Sequence, residues 1–233
     1  YIHTGRSRND QVLTDLKLWL RNSTTEVIND LNKTMKLFLK SAEKNVHTIM
    51  PGFTHLKNAQ PISLGHYLLA YVEMFDRDLN RFNYNLNNLN ESPLGVGALS
   101  GTSFNIDRKF TAKKLKFKKI SNNSIDTVSD RDFALDFLFS CATCSMHISR
   151  LSEEFIIWNS DAFNFISLKD SLVTGSSMMP QKKNPDPLEY LRGKSGNSYG
   201  NLFSMFTILK GLPLSYFKDL QDDKKIVFET FDN

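Results

Sequence analysis

The chain has 233 residues, a net charge of +4, 40% hydrophobic residues and 23% charged residues. That size admits one large or two small domains with a real buried core. The charge is too mild and too spread out to argue for nucleic acid, and it suits an anionic small substrate equally well. No stretch approaches the ~20 apolar residues of a membrane span, and no apolar run near Tyr1 reads as a signal peptide. The chain opens without Met and stops mid-pattern at Phe228–Asn233. Residues 1–233 are therefore expected to be the central part of a longer protein, cut at both ends.

His3-Thr4-Gly5-Arg6-Ser7-Arg8-Asn9-Asp10 places small polar residues and arginines ahead of a helix that Asn9 or Asp10 can cap. Solvated arginines at a helix start and carboxylate recognition by Arg, Asn and amide groups both fit. Val12, Leu16, Trp19, Val27, Leu31, Met35 and Phe38 recur mostly at three- and four-residue steps, which predicts a helix over 11–49. Such a helix would be on the order of 55 Å long, so an elongated bundle is expected. Pro51 and Pro61 then bracket Thr54 and His55 in a break over 50–62. A solvated or structural histidine fits that break, and so does a catalytic one, since loops set by rigid helices concentrate such groups.

A second helix is expected over 63–90, capped by Ser63, with Leu64, Leu68, Tyr71, Met74 and Phe75 on one side. The Gly/Ser stretch Pro93–Thr102 suits close backbone approach; it is not a GxGxxG after a strand, so it does not read as a dinucleotide site. A short Lys-rich helix and turn follow over 106–120. Residues 124–165 open with the polar stretch Ser124–Asp132, and a third long helix is expected to follow from Phe133, apolar nearly all round in places, as at a bundle centre. The Asp130-Arg131-Asp132 run reads more readily as an intrahelix ion pair than as a catalytic set. Within the helix, Cys141, Cys144 and His147 fit core packing; a zinc site needs four ligands and a redox motif needs a βαβ context.

The stretch Gly175-Ser176-Ser177-Met178-Met179-Pro180-Gln181-Lys182-Lys183-Asn184 stands apart. A polar loop with hydroxyls and lysines runs into a helix expected over 187–210, with Pro187 at its first position and Glu189 in its first turn. Free N–H groups and the positive dipole end there favour an anion. A plain surface loop before a capped helix is the alternative. No strand alternation and no internal repeat is evident, so the fold is expected to be all-α.

The 175–184 loop resembles the signature loop of the fumarase/aspartase superfamily, GSSxMPxKxN, and Thr54-His55-Leu56 with Gln60-Pro61 resembles its His-bearing region. Further segments resemble the argininosuccinate lyase family, from which the delta-crystallins derive. They are His3–Gln11, Pro93–Thr102, Val128–Phe133, Gln181–Asp186 and Lys218–Gln221. The resemblance covers the whole chain, and the family protein is roughly twice as long. It implies a helical-bundle homotetramer in the cytoplasm, with active sites shared between subunits. It also implies cleavage of argininosuccinate to arginine and fumarate by β-elimination, with no metal or organic cofactor and no nucleic-acid or membrane partner. Carried over by position, Ser176 is the catalytic base, His55 the general acid and Glu189 the carboxylate that orients the histidine. Lys182 and Asn184 contact substrate carboxylate, and Asn9, Thr54, Tyr216, Gln221 and Lys224 bind substrate. Lys57 stands where the family usually has Gln, and Phe217 where it usually has Asn. The signature loop alone also permits fumarase, aspartase or adenylosuccinate lyase, against which the His3–Gln11 segment argues. A non-catalytic crystallin-like protein remains open as well, although both His55 and Ser176 are present.

Overall fold

The structure, a computed structural model, describes residues 2–233. Helices dominate, as expected: α1 (Arg8–Lys44), α2 (Leu64–Asn88), α3 (Arg108–Lys114), α4 (Ser124–Ser129), α5 (Asp132–Asn159), α6 (Asp186–Leu209) and α7 (Asp223–Asp232). Strands are few and short. An antiparallel hairpin joins β1 (Ile49–Thr54) to β2 (Lys57–Ser63). Two-residue pairs join β3 (Glu91–Ser92) to β4 (Lys119–Ile120) and β5 (Thr174–Gly175) to β6 (Lys183–Asn184). The chain divides into two compact units. One takes in residues up to Asn32, Leu79–Ser140 and Asn201–Asp232; the other takes in Lys33–Asp78, Cys141–Gly200 and Asn233. No helix among the described residues is long and apolar enough to cross a membrane.

In the first unit α1 begins three residues earlier than its apolar stripe indicates, because Ser7 caps it. The Ser7 hydroxyl accepts the Asn9 N–H at 3.1 Å, and the Asp10 carboxylate accepts the Ser7 N–H at 3.0 Å. This is a reciprocal capping box with an acid in the third position, so neither Asn9 nor Asp10 is the cap. Leu13, Leu16 and Leu20 line the buried face of α1. Trp19 meets Phe228 and Phe231 of α7 at 4.4 and 5.4 Å between ring centres. Phe82 of α2 meets Phe137 of α5 edge-on at 6.2 Å, both fully buried. Each such side chain contributes roughly 1.5–3 kcal/mol by leaving water.

Residues 124–165 hold two helices and a trailing segment, and the helix expected after the polar opening is α5. Asp130 separates the two helices: its carboxylate accepts the Asp132 N–H at 2.9 Å where the chain restarts as α5. The Asp-Arg-Asp run is not an intrahelix ion pair. Arg131 bonds the buried carboxylate of Asp223, and Asp130 pairs with Lys17 at 3.5 Å. Lys224 also contacts Asp223.

In the second unit the hydroxyl of Ser63 accepts the His66 N–H at 3.1 Å and caps α2, as expected. Phe38 of α1 packs on Tyr71 and Phe75 of α2. Tyr67 packs on Trp158 of α5 at 4.5 Å. His147 bonds buried Asp78 at 2.7 Å, while Cys144 is buried outside any disulfide and burial pushes the Cys141 thiol up. These three residues therefore sit in core packing. Helix α1 stops at Lys44 rather than running to 49, and the break expected over 50–62 is the β1–β2 hairpin. Pro51 stands opposite Pro61, and prolines give no strand signal. The register shifts between Pro51 and Phe53, where Gly52 faces Ala59 and Gln60, so side-chain alternation is lost as well. A Cβ at Gly52 would lie 2.7 Å from the Gln60 carbonyl oxygen, so only glycine fits that bulge.

Candidate active site

The residues singled out from the sequence fall into two groups, one in each unit. In the second unit the group begins at the hairpin tip. Thr54 pairs with Lys57, leaving His55 and Leu56 as a two-residue loop. Both have positive φ, 56° and 55°. That is the signature of a type I′ turn, whose usual residues are Asn and Gly. Thr54, His55, Leu56 and Lys57 are all exposed.

The signature loop is closed at its base by the β5–β6 pair, Thr174 with Asn184 and Gly175 with Lys183. The segment between them folds into turns. The Met179 N–H donates to the Ser176 hydroxyl oxygen at 3.1 Å, and the Lys182 N–H donates to the Met179 carbonyl at 2.9 Å. An N–H aimed at the serine oxygen is the kind of contact that stabilises negative charge there. The loop then enters α6. The Pro185 carbonyl accepts from Leu188 and Glu189, and Asp186 accepts from the Thr174 hydroxyl. Helix α6 thus starts at Asp186, and Pro187 takes its second position. Lys183 is tied to Asp170, whereas the side chain of Lys182 is exposed. Ser176 and Asn184 are half-buried and Glu189 is exposed. Arg192, one turn after Glu189, bonds Glu153; that bond, then the charges of Glu153 and Glu189, push the guanidinium up. Among the described residues, His55, Ser176 and Glu189 make no hydrogen bond to one another.

In the first unit Asn9 lies in the first turn of α1, half-buried. Beside that turn is an open groove of about 580 Å3, lined by His3–Ser7 and by Gly97, Ala98, Gly101, Thr102 and Phe104. Arg6 bonds Gln11 through one terminal nitrogen, and its buried Nε has no partner among the described residues. The groove owes its far wall to Asp10, which the sequence reading considered only as a cap. Fully buried, its second oxygen accepts the N–H groups of Gly95 at 3.0 Å and Gly97 at 2.9 Å. Glycine is needed at 97, where φ is +66° and a Cβ would come within 2.5 Å of the Gly101 carbonyl. The Ser-x-x-Asp spacing of Ser7 and Asp10 was the available signal for the capping box. Nothing local announces the Gly95–Gly97 contact.

Tyr216 follows Ser215, which has φ +71°. Gln221 ends a single 3-10 turn over Lys218–Gln221. Lys224 donates to the Leu220 carbonyl at 2.8 Å and contacts Asp223. Tyr216 and Lys224 are half-buried and Gln221 is exposed.

Residues 1–200 match a protein family described as Lyase. The argininosuccinate lyase of Pelagibacter ubique is 69% identical to the chain over 230 residues, 99% of this chain and 50% of that protein. That of Bacillus cytotoxicus is 55% identical over 229 residues, 98% of this chain and 50% of that protein. Among solved structures, an EDDS lyase in complex with formate superposes with a TM-score of 0.91 at 31% identity, covering 98% of this chain and 47% of that one. The class II fumarase of Schistosoma mansoni shares the fold, with a TM-score of 0.82 at 21% identity over 99% of this chain and 53% of that one. The chain spans about half the length of the curated relatives it matches. It belongs to this lyase family, as the resemblance of its 175–184 loop implies.

Proposed function

We propose that the chain is the central helical part of an argininosuccinate lyase, a cytoplasmic homotetramer that splits argininosuccinate into arginine and fumarate. The observation that carries this reading is near-full-chain identity to relatives of that name, with every proposed catalytic side chain present. Ser176 takes the proton from the succinate carbon next to a carboxylate. The electron pair left behind spreads into that carboxylate, giving a doubly charged aci-carboxylate. Lys182, Asn184 and the loop N–H groups stabilise that charge. The carbon–nitrogen bond then breaks, and His55 delivers a proton to the departing guanidino nitrogen. Glu189 orients the imidazole, while Asn9, Thr54, Tyr216, Gln221 and Lys224 hold the substrate. No step calls for a metal or an organic cofactor. Lys57 is exposed at the foot of the His55 turn, so its change from the family's usual Gln leaves each of these groups in place.

His55 and Glu189 are exposed and Ser176 half-buried, and none bonds another. That suits a site completed by other copies of the chain. Subunit mixing tests the reading. Full-length His55→Asn and Ser176→Ala proteins should each be nearly inactive, since each removes a proton-transfer group. Unfolded together and refolded in equal amounts, they should recover roughly a quarter of wild-type argininosuccinate cleavage. A site that draws histidine and serine from different chains finds both intact with that frequency. A dead mixture would mean that the two residues serve one site from one chain. Activity in either parent would remove that residue from the chemistry.

A further inference from the structure

The two-residue loop at the hairpin tip carries a residue that its backbone does not want. Left-handed φ is tolerated by histidine better than by most residues, but leucine gains nothing there and glycine would be far cheaper. Yet Leu56 follows His55 in that conformation, with φ of 55°. A hairpin that needed only its turn would do better with glycine at this position. The side chain is therefore what the position keeps.

Leu56 is 63% exposed. It also lines a small cavity of about 80 Å3, together with Phe53, Ile62, Trp158 and Phe163. Phe53 lies two residues before His55 and sits edge-on to Phe163 at 5.6 Å and stacked on Phe165 at 6.1 Å. The strand behind the turn is thus fixed to the aromatic cluster on one side of the hairpin. The tip is carried on a ladder of two strands that ends at the Thr54–Lys57 pair. Such a tip pivots unless something beyond the ladder holds it.

We propose that Leu56 is a positioning residue for His55: its side chain, lining the Phe53–Trp158–Phe163 cavity, fixes the direction of the imidazole. The inference rests on the assignment of His55 as the proton donor. Glycine separates the two things the residue does, since Leu56→Gly keeps the turn and relieves its backbone while removing the anchor.

The experiment uses the full-length protein with Leu56→Gly, Leu56→Met and His55→Asn, read by kcat, KM, thermal midpoint and amide exchange across residues 53–58. Leu56→Gly should melt no lower than wild type and exchange faster across 53–58. It should lose roughly tenfold or more in kcat, because small misplacement of a reacting group is costly, while KM stays within about twofold. Leu56→Met, unbranched and of similar volume, reaches the same cavity and should restore kcat to within about threefold. Unchanged kcat or unchanged exchange in Leu56→Gly overturns the proposal. So does a loss that tracks a lowered melting temperature, or a methionine variant no better than glycine. If His55→Asn keeps full kcat, the assignment of His55 falls and this inference with it. If His55→Asn is dead and Leu56→Gly is fully active, only the positioning role is lost.

Discussion

Asp10 accepts three backbone N–H groups in the first unit, and replacing it by asparagine removes charge while keeping shape. In the native chain its two oxygens accept three backbone N–H groups: Ser7 at 3.0 Å on one, Gly95 at 3.0 Å and Gly97 at 2.9 Å on the other. Asparagine offers one acceptor oxygen. Turned toward the glycines, it keeps two bonds and sets its NH2 against the Ser7 N–H, donor facing donor. Losing a hydrogen bond to a charged, buried acceptor costs about 1.5–3 kcal/mol. Losing a negative charge at the start of the helix costs about 0.3–1 kcal/mol more. The opposite orientation abandons two bonds and is worse. Asp10→Asn should therefore destabilise the full-length protein by about 2–4 kcal/mol, measured as the shift of the urea midpoint at constant slope. Amide exchange should rise at Gly95 and Gly97, more than eighty residues away in sequence. KM should rise as the groove wall loosens. A variant within about 0.5 kcal/mol of wild type, with both glycine amides still protected, would show that Asp10 does not hold the loop.

Two further perturbations probe the charged and titratable core. Asp223→Asn strands the Arg131 guanidinium, whose side chain is 3% exposed, and should cost about 3–5 kcal/mol in chemical denaturation; a double-mutant cycle with Arg131→Met should show strong coupling, and additive effects would deny the pair. Tyr71 donates to Glu154 at 3.1 Å, and its hydroxyl is pushed up to about 12, chiefly by burial, with Arg150 opposing. The fold keeps a proton that the unfolded chain releases near pH 10, so stability is whole below pH 10 and falls as pH rises toward about 12. Tyr71→Phe should flatten that alkaline decline in pH-dependent unfolding, and an unchanged decline would remove Tyr71 as its source.

The helices were legible because a buried stripe at 3.6-residue spacing is a local signal, and Leu13, Leu16 and Leu20 or Leu68, Tyr71 and Phe75 deliver it. Their ends were legible only where a cap was read correctly. Ser63 was; Ser7 was not, because Asn9 and Asp10 are equally good capping residues by type. The short helix α4 ahead of Asp130 was not legible, because an aspartate inside an acidic run carries no mark that its carboxylate will turn back on the chain. Arg131 and Asp223 lie ninety-two residues apart, and no local pattern predicts such a partner. The hairpin was hidden by the two prolines and the bulge at Gly52. For the site, residue types and loop chemistry were readable at Ser176 and Asn9, but neither the turn that carries His55 nor the buried support beneath the Gly95–Gly101 loop was.

The positive-φ positions separate two ways of making a tight turn. In the Gly95–Gly101 loop the chain uses glycine, and the argument there is space, since a Cβ on Gly97 would strike the Gly101 carbonyl. Among the described residues, the non-glycine cases are His55, Leu56, Lys116, Asn164 and Ser215. Asn164 needs little explanation, because asparagine tolerates this conformation. His55 and Leu56 form the proposed acid's turn, and Ser215 immediately precedes Tyr216, a proposed substrate contact. A left-handed backbone at a non-glycine residue costs of order 1–3 kcal/mol. Glycine would remove that cost, so where it is absent either the side chain or its restricted backbone is in use. At His55 the side chain is the proposed proton donor, and at Leu56 its anchor. At Ser215 the half-buried serine limits the backbone leading into Tyr216 more tightly than glycine could. Among the described residues, His55, Leu56 and Ser215 thus hold left-handed backbone where a proposed catalytic or binding group must be aimed, while Lys116 and Asn164 hold it away from the candidate site.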